Sequence, residues 1–150
     1  MHHHGYSWTG EKRFFDDEAV RRPPYHEPPP VTGDGAGRRL EERYREVVAE
    51  FAVTGVPPVE IASWLMKPAA LVRGTWDGPE DAGGWLATRL AEGPYPERAD
   101  RLVRDAVERL AWGGDVSLGF YLDGTLFRSI AVVTCSPNRA RPEFHCPLAR

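Results

Sequence analysis

The strongest constraint on the fold is a pair of alternating segments joined by Asp-Gly near the C-terminus. The segment before the turn reads DVSLGFYL, and the segment after it reads TLFRSIAVVTC. Apolar side chains recur at every second position, which is the period of a half-buried strand. Asp123-Gly124 suits the two-residue type I′ turn of a hairpin. The sequence therefore predicts an antiparallel β-hairpin over residues 115–134.

Four segments upstream of the hairpin carry the 3.6-residue period of amphipathic helices. The clearest one reads YPERADRLVRDAVERLAW, with Asp/Glu–Arg pairs spaced i, i+4 along its polar face. Gly113 and Gly114 follow it and predict its end. Helices followed by a C-terminal hairpin define an α+β fold. The predicted helices lie near 38–53, 58–66, 79–92 and 96–112.

The chain divides into an extended N-terminal arm, residues 1–37, and a single α+β domain, residues 38–150. Five prolines between positions 23 and 30 favour extended polyproline II backbone in the arm. Upstream, YSWTGEKRFF contains four aromatic residues, which are costly to leave in water. We therefore expect this stretch to dock on the domain or to add an edge strand to its sheet.

Charge and hydropathy disfavour three classes of protein: those that bind nucleic acid over their whole surface, membrane proteins and secreted proteins. The net charge is −3, which does not favour chain-wide attraction to nucleic acid or to an anionic membrane. No apolar run approaches the length of a membrane span, and the N-terminus lacks the pattern of a secretory signal. We expect a cytoplasmic protein with reduced thiols and without a membrane partner.

The C-terminal stretch VVTCSPNRAR places a cysteine directly after an apolar strand, with an arginine six positions later. This C-x5-R spacing resembles the signature of cysteine-dependent phosphatases over these ten residues. In that family a low-pKa thiolate attacks phosphorus while backbone amides and the arginine hold the oxygens. The resemblance implies catalytic roles for Cys135 and Arg141. The stretch departs from the family in having no glycine and in being followed by Pro142.

The same tail offers ligands for a metal ion. Cys135 and the adjacent pair His145 and Cys146 supply three, and His26 or the run His2–His4 supplies a fourth. Separately, an N-terminal amine, two backbone amides and His3 can hold Cu(II) or Ni(II) in square-planar geometry. The metal candidates are therefore His2, His3, His145 and Cys146.

Two interpretations of the cysteines involve no metal and no catalysis. In the first, a disulfide closes the loop between positions 135 and 146, which geometry allows and a reducing cytosol opposes. In the second, Cys135 is a small apolar residue at the end of a strand, and the rest of the chain is a polar tail. The second is the simplest account of the tail.

Residues 57–74 resemble the helix-turn-helix modules of DNA-binding proteins. A helix and a glycine-containing turn precede EIASWL, and PAALVRG follows where a recognition helix would begin. Met66 stands at the turn position where glycine is typical. The resemblance implies that Lys67 and Arg73 contact DNA.

These observations rank three functions. The leading interpretation is a small cytosolic, non-catalytic binding or regulatory protein that acts through a protein–protein surface and needs no cofactor. The first alternative is a DNA-binding regulator that uses residues 57–74. The second is a cysteine-centred enzyme or metal-binding protein that uses the C-terminal tail. A protein is thus the expected partner, and DNA is the alternative.

Overall fold

The computed structural model describes residues 1–24 and 28–149, which form a four-stranded antiparallel sheet with helices on both of its faces. The strands are β1 (His2–Glu11), β2 (Gly74–Trp76), β3 (Val116–Asp123) and β4 (Leu126–Cys135). The α-helices are α1 (Lys12–Asp16), α2 (Glu18–Arg21), α3 (Gly35–Val53), α4 (Pro79–Ala91) and α5 (Pro96–Ala111). Two 3-10 helices span Ile61–Met66 and Ala69–Leu71. The strand order across the sheet is β2-β1-β4-β3.

The C-terminal hairpin and the α+β class are confirmed, although the turn differs by one residue. Asp123 pairs with Leu126, so the two turn residues are Gly124 and Thr125. Only Gly124 has a positive φ, 53°, whereas the predicted type I′ turn needs two such residues. A register irregularity between Tyr121 and Asp123 accounts for the shift.

Three of the four predicted helices are present as α3, α4 and α5. Each begins at a capping residue or at a proline in its first turn. The carboxylate of Asp34 accepts a hydrogen bond from Gly37 N at 2.6 Å and caps α3. Pro79 and Pro96 occupy the first turns of α4 and α5. The segment expected as a helix near 58–66 is instead the 3-10 helix Ile61–Met66, and Pro68 prevents it from continuing.

Helix α3 lies at the periphery and does not bury the apolar stripe that its sequence pattern predicts. Leu40 is 62% exposed, Val53 is 77% exposed, and Phe51 is the one apolar side chain of the helix that is buried. Its main neighbour among the described elements is the short helix α2. The apolar face of α3 is therefore largely open to solvent.

The first strand is an interior strand of the sheet, whereas the sequence analysis expected this stretch to dock on the domain or to add an edge strand. β1 pairs with β4 along its whole length, from His2 opposite Cys135 to Glu11 opposite Leu126. On its other side it pairs with β2 from His3 to Gly5. Residues 2–11 of the predicted arm thus lie in the middle of the sheet.

Each face of the sheet carries its own core. Helices α4 and α5 cover one face, and the 3-10 helix Ile61–Met66 covers the other. The first core comprises Ala82, Leu86, Leu90, Ala106, Leu110, Val116, Ile130 and Val132. The second comprises Tyr6, Trp64, Leu65, Ala131, Val133 and Cys135. Within the described ranges, none of the helices combines the length and apolar character that crossing a membrane requires.

Candidate metal centre

Two histidines and two cysteines meet at one end of the sheet, on the face of the second core. Residues opposite each other on antiparallel strands share a face, so His2 lies beside Cys135. His4 is two positions further along β1 and therefore points to the same face. Cys146 returns from the C-terminal tail and packs against this core. Strand β1, the end of β4 and the tail thus supply the four side chains.

The four side chains bring one ligand atom each to a common point. The Nε2 atom of His2 lies 3.0 Å from the Sγ atom of Cys135 and 3.2 Å from that of Cys146. The Nε2 atom of His4 lies 3.3 Å from the Cys146 Sγ atom. All four atoms lie within 4.8 Å of one another. In a tetrahedral zinc site a nitrogen and a sulfur are about 3.6 Å apart, so a small expansion would admit the ion.

The surroundings of His4 hold its ring in the state that a metal requires. Its Nδ1 atom lies 2.8 Å from the Thr75 hydroxyl oxygen on β2, which leaves Nε2 directed at the sulfur atoms. Burial, and then the charge of neighbouring His2, lowers the pKa of His4 to about 4. The imidazole is therefore neutral at physiological pH, and a neutral imidazole is the form that binds metal ions.

The two cysteines are free thiols and do not form the disulfide considered above. Burial is the main reason why the pKa of Cys135 rises to about 11, and neighbouring Cys146 adds to the rise. A bound divalent cation would reverse this preference, because a coordinated thiol is deprotonated. Burial and the two cysteines also raise the pKa of Tyr6, whose buried hydroxyl has no hydrogen-bond partner among the described residues.

A buried amide and a carboxylate fix the turn that leads from β4 into the tail. The Nδ2 atom of Asn138 donates to both carboxylate oxygens of Asp115, at 3.0 Å each, and to Thr134 O at 2.7 Å. Its Oδ1 atom accepts hydrogen bonds from the backbone N–H groups of Ala140 and Arg141. The network satisfies every polar group of a side chain that has no exposed surface. It holds the tail in the direction that returns the second cysteine to the sheet.

The structure does not bring Cys135 and Arg141 together as the phosphatase signature requires. The Nε and Nη2 atoms of Arg141 donate to the Glu60 carboxylate at 2.7 and 3.0 Å. Arg139, the other arginine of the loop, donates to Trp112 O. A buried thiol with a raised pKa is the opposite of the activated thiolate that this chemistry needs. This geometry does not favour catalytic roles for Cys135 and Arg141, and those roles stay a prediction from the sequence.

Residues 57–74 do not form a helix-turn-helix unit. The stretch, described throughout, contains the two short 3-10 helices and the start of β2, with no recognition helix. The Lys67 ammonium is buried and donates to Phe51 O at 2.8 Å and Thr54 O at 3.0 Å, so it is not presented to a phosphate. Arg73 is exposed. Of the two cations predicted to contact DNA, Arg73 is exposed and Lys67 is buried, and DNA contact stays a prediction from the sequence.

The remaining predicted metal ligands have separate positions. His3 points to the opposite face of the sheet, where its Nδ1 atom lies 2.9 Å from the Thr134 hydroxyl oxygen. This buried position does not suit the square-planar amino-terminal site. His145 is exposed and lies outside the four-residue group. His26 lies outside the described residues.

The sequence prediction named Cys135 and Cys146 as metal ligands and the run His2–His4 as the source of one more, but it did not predict that His2 and His4 both join the group. The signal that could have identified it is the spacing of two positions between His2 and His4, because such residues share one face of a strand. That signal becomes visible only once the N-terminal stretch is recognised as a strand.

Comparisons with known proteins identify no relative of this chain. No protein-family model, curated protein or solved structure matches the chain. The function must therefore be argued from the site itself.

Proposed function

We propose that this protein binds one Zn²⁺ ion through His2, His4, Cys135 and Cys146, and that the ion has a structural role. The observation that carries the proposal is the convergence of four ligand atoms, from three separate segments, within 4.8 Å. Segments so far apart in the sequence reach this arrangement only through the fold. The proposal makes the protein a metal-binding protein of the kind considered as the second alternative.

The ligand set favours zinc. Two thiolates and two imidazoles are a common combination in tetrahedral structural zinc sites, whereas Mg²⁺ and Ca²⁺ prefer oxygen ligands. Four protein ligands leave no open position for a water molecule or a substrate. The cytosolic location expected from the sequence would keep both thiols reduced and available. The site thus suits a structural ion better than a catalytic one.

The position of the site explains what the ion would do. Metal binding would tie the start of β1 to the end of β4 and would hold the tail through Cys146. Structural zinc ions contribute on the order of 10 kcal/mol of binding free energy in small domains, and this free energy adds to the stability of the fold. The ion would therefore act as a clamp between the two terminal segments.

Cobalt substitution tests this proposal directly. Metal-free protein titrated with Co²⁺ should develop the visible absorption of a tetrahedral thiolate site and saturate at one equivalent, and Zn²⁺ should then displace the cobalt. Cys135→Ser and Cys146→Ser should each weaken zinc affinity by about 100-fold or more, because each removes a direct ligand. His145→Gln is the matched control: it changes the exposed neighbour of Cys146 and should leave the affinity unchanged.

Two outcomes would refute the zinc site. One is a protein that takes up less than one tightly bound equivalent of cobalt or zinc when its thiols are fully reduced. The other is a Cys146→Ser variant with the same affinity and visible spectrum as the unchanged protein. Either result would mean that the four side chains pack together at the end of the sheet without binding a metal ion.

A protein–protein surface, the leading expectation from the sequence, stays a prediction. The feature that favours it is the exposed apolar face of α3, which borders a cavity of about 850 Å³. An exposed apolar patch is what such a role requires. Leu40, Tyr44 and Val47 of α3 line this cavity together with Val59. Nothing among the described residues shows what would cover this face.

A further inference from the structure

A second cavity lies on the opposite face of β1 from the metal ligands. It has a volume of about 510 Å³ and is lined by Ser7, Thr9, Arg73, Trp85 and Arg89. The two hydroxyl residues come from β1, the tryptophan and one arginine from α4, and the other arginine immediately precedes β2. The cavity shares no residue with the proposed zinc site.

The open edge of β1 adds backbone donors to this cavity. Arg73 N donates to Gly5 O at 2.7 Å, so the odd-numbered residues of β1 direct their backbone groups toward the β2 side. Strand β2 pairs with β1 only from His3 to Gly5. The N–H group of Ser7 therefore faces an edge of β1 along which no strand of the described residues pairs, beside Arg73.

The side chains that line the cavity offer hydrogen-bond donors and no carboxylate. Within the described ranges, the exposed guanidinium of Arg73 forms no ion pair. The Nε atom of Arg89 is buried and has no acceptor in the part of the chain that the structure describes. At the rim, Glu92 is shared between Arg89, at 3.2 Å, and Arg128. Arg128 also donates to the Thr9 hydroxyl, so it lies beside the cavity. Among the ion pairs of the described residues, Arg73, Arg89 and Arg128 are therefore matched by one carboxylate, that of Glu92, which leaves an excess of two positive charges.

We propose that this cavity binds a small ligand that carries a carboxylate or phosphate group beside an apolar group. Guanidinium groups match both kinds of anion through paired N–H donors. Trp85 supplies the aromatic wall against which the apolar group would pack. The volume lies within the range of small-molecule sites and exceeds what a bare ion needs. The proposal is independent of the zinc site.

Three probes of matched shape test the proposal: phenyl phosphate, benzoate and benzyl alcohol. Each is titrated into isotope-labelled protein at low salt, and amide and indole resonances are followed by NMR. The anionic probes should shift the Ser7 and Thr9 amides and the Trp85 indole signal saturably. Binding of phenyl phosphate alone identifies a phosphate site, and binding of benzoate alone identifies a carboxylate site. Benzyl alcohol should bind at least tenfold more weakly than the preferred anion.

Arg73→Ala is the decisive variant, because its exposed side chain pairs with no carboxylate of the described residues and can be removed without disturbing the fold. It should weaken binding of the preferred anion by about tenfold, the effect of losing a charge-assisted hydrogen bond. Arg101→Ala, on the exposed face of α5, is the control and should bind as the unchanged protein does. The proposal is wrong if neither anion shifts these resonances, if benzyl alcohol binds equally well, or if Arg73→Ala binds with unchanged affinity.

Discussion

His2 and Cys135 lie opposite each other on β1 and β4, and their side chains meet at 3.0 Å between Nε2 and Sγ. One is the first residue of its strand and the other is the last of its strand. A slip of β1 by one residue would turn both His2 and His4 to the other face of the sheet. A metal ion bound by these side chains would therefore fix the register of the central strand pair.

Removal of the metal should destabilise the unchanged protein but not a variant that lacks one of the four metal ligands. At a free zinc concentration 1,000 times the dissociation constant, binding contributes about 4 kcal/mol. For a chain of this size that corresponds to a fall in Tm of roughly 8–16 °C on adding a chelator. Calorimetry should show this fall for the unchanged protein and for His145→Gln. Cys146→Ser should show almost none, and an equal fall in all three proteins would contradict a structural ion at this site.

Alkylation should distinguish the two cysteines in metal-free protein at neutral pH. Cys135 is fully buried and burial raises the pKa of its thiol to about 11, so it should react more slowly than the partly exposed Cys146. Added Zn²⁺ should then slow the labelling of Cys146. Mass spectrometry of iodoacetamide-treated protein measures both rates. Faster labelling of Cys135 than of Cys146 would instead support the cysteine-centred enzyme.

The features that the sequence predicts well are those determined by near neighbours along the chain. The hairpin and helices α3, α4 and α5 follow from local periodicity, caps and turn residues. Strand β1 could not be placed, because its partner β4 is more than 110 positions away and no local pattern reports that pairing. The metal ligands depend on the same long-range contact. The burial of Lys67 could not be predicted for a different reason. A lysine in a short loop before a proline is normally a surface residue, and no sequence pattern indicates that this one is buried.

Adjacent glycines in α4 should respond in opposite ways to alanine. A Cβ atom at Gly83 would lie 2.4 Å from Val107 Cγ2 on α5, whereas one at Gly84 would meet nothing within 4 Å. Gly83→Ala should therefore destabilise the protein by about 1–3 kcal/mol through overpacking. Gly84→Ala should stabilise it by about 0.5–1 kcal/mol, because alanine is the better helix former. Urea denaturation measures both values, and effects of the same sign would contradict the close packing of α4 on α5.

Loss of the buried amide in the tail should be costly. Asn138→Ala removes the side-chain donor to the Asp115 carboxylate and leaves this buried group with the backbone N–H of Thr134 as its remaining donor. Burial already raises the pKa of Asp115 despite these hydrogen bonds. We expect a loss of about 2–4 kcal/mol in the free energy of unfolding. Asn138→Asp places a second carboxylate against the first and should be at least as harmful in neutral buffer. Both variants are compared by chemical denaturation, and values below 1 kcal/mol would show that the network does not hold the tail.

Lys67 should make the stability of the protein rise with pH in the alkaline range. Its ammonium donates to the carbonyl groups of Phe51 and Thr54 near the C-terminus of α3 and lies 4.0 Å from the centre of the Phe51 ring. Desolvation lowers the pKa of this amine from 10.5 to about 8. The folded protein therefore releases the proton more readily than the unfolded chain does.

The sign of the effect follows from proton counting. Below about pH 8 the amine is charged in both states, and above pH 10.5 it is neutral in both. Between these values the unfolded chain holds more protons, so the free energy of unfolding rises with pH, by about 3 kcal/mol in total. Lys67→Met keeps most of the buried chain and removes the titration. The difference between the two proteins, measured by denaturation from pH 7 to 10.5, cancels other titrating groups and should follow this rise. If the free energy of unfolding changes with pH in the same way in both proteins, the pKa of Lys67 is the same in the folded and unfolded states and the prediction is wrong.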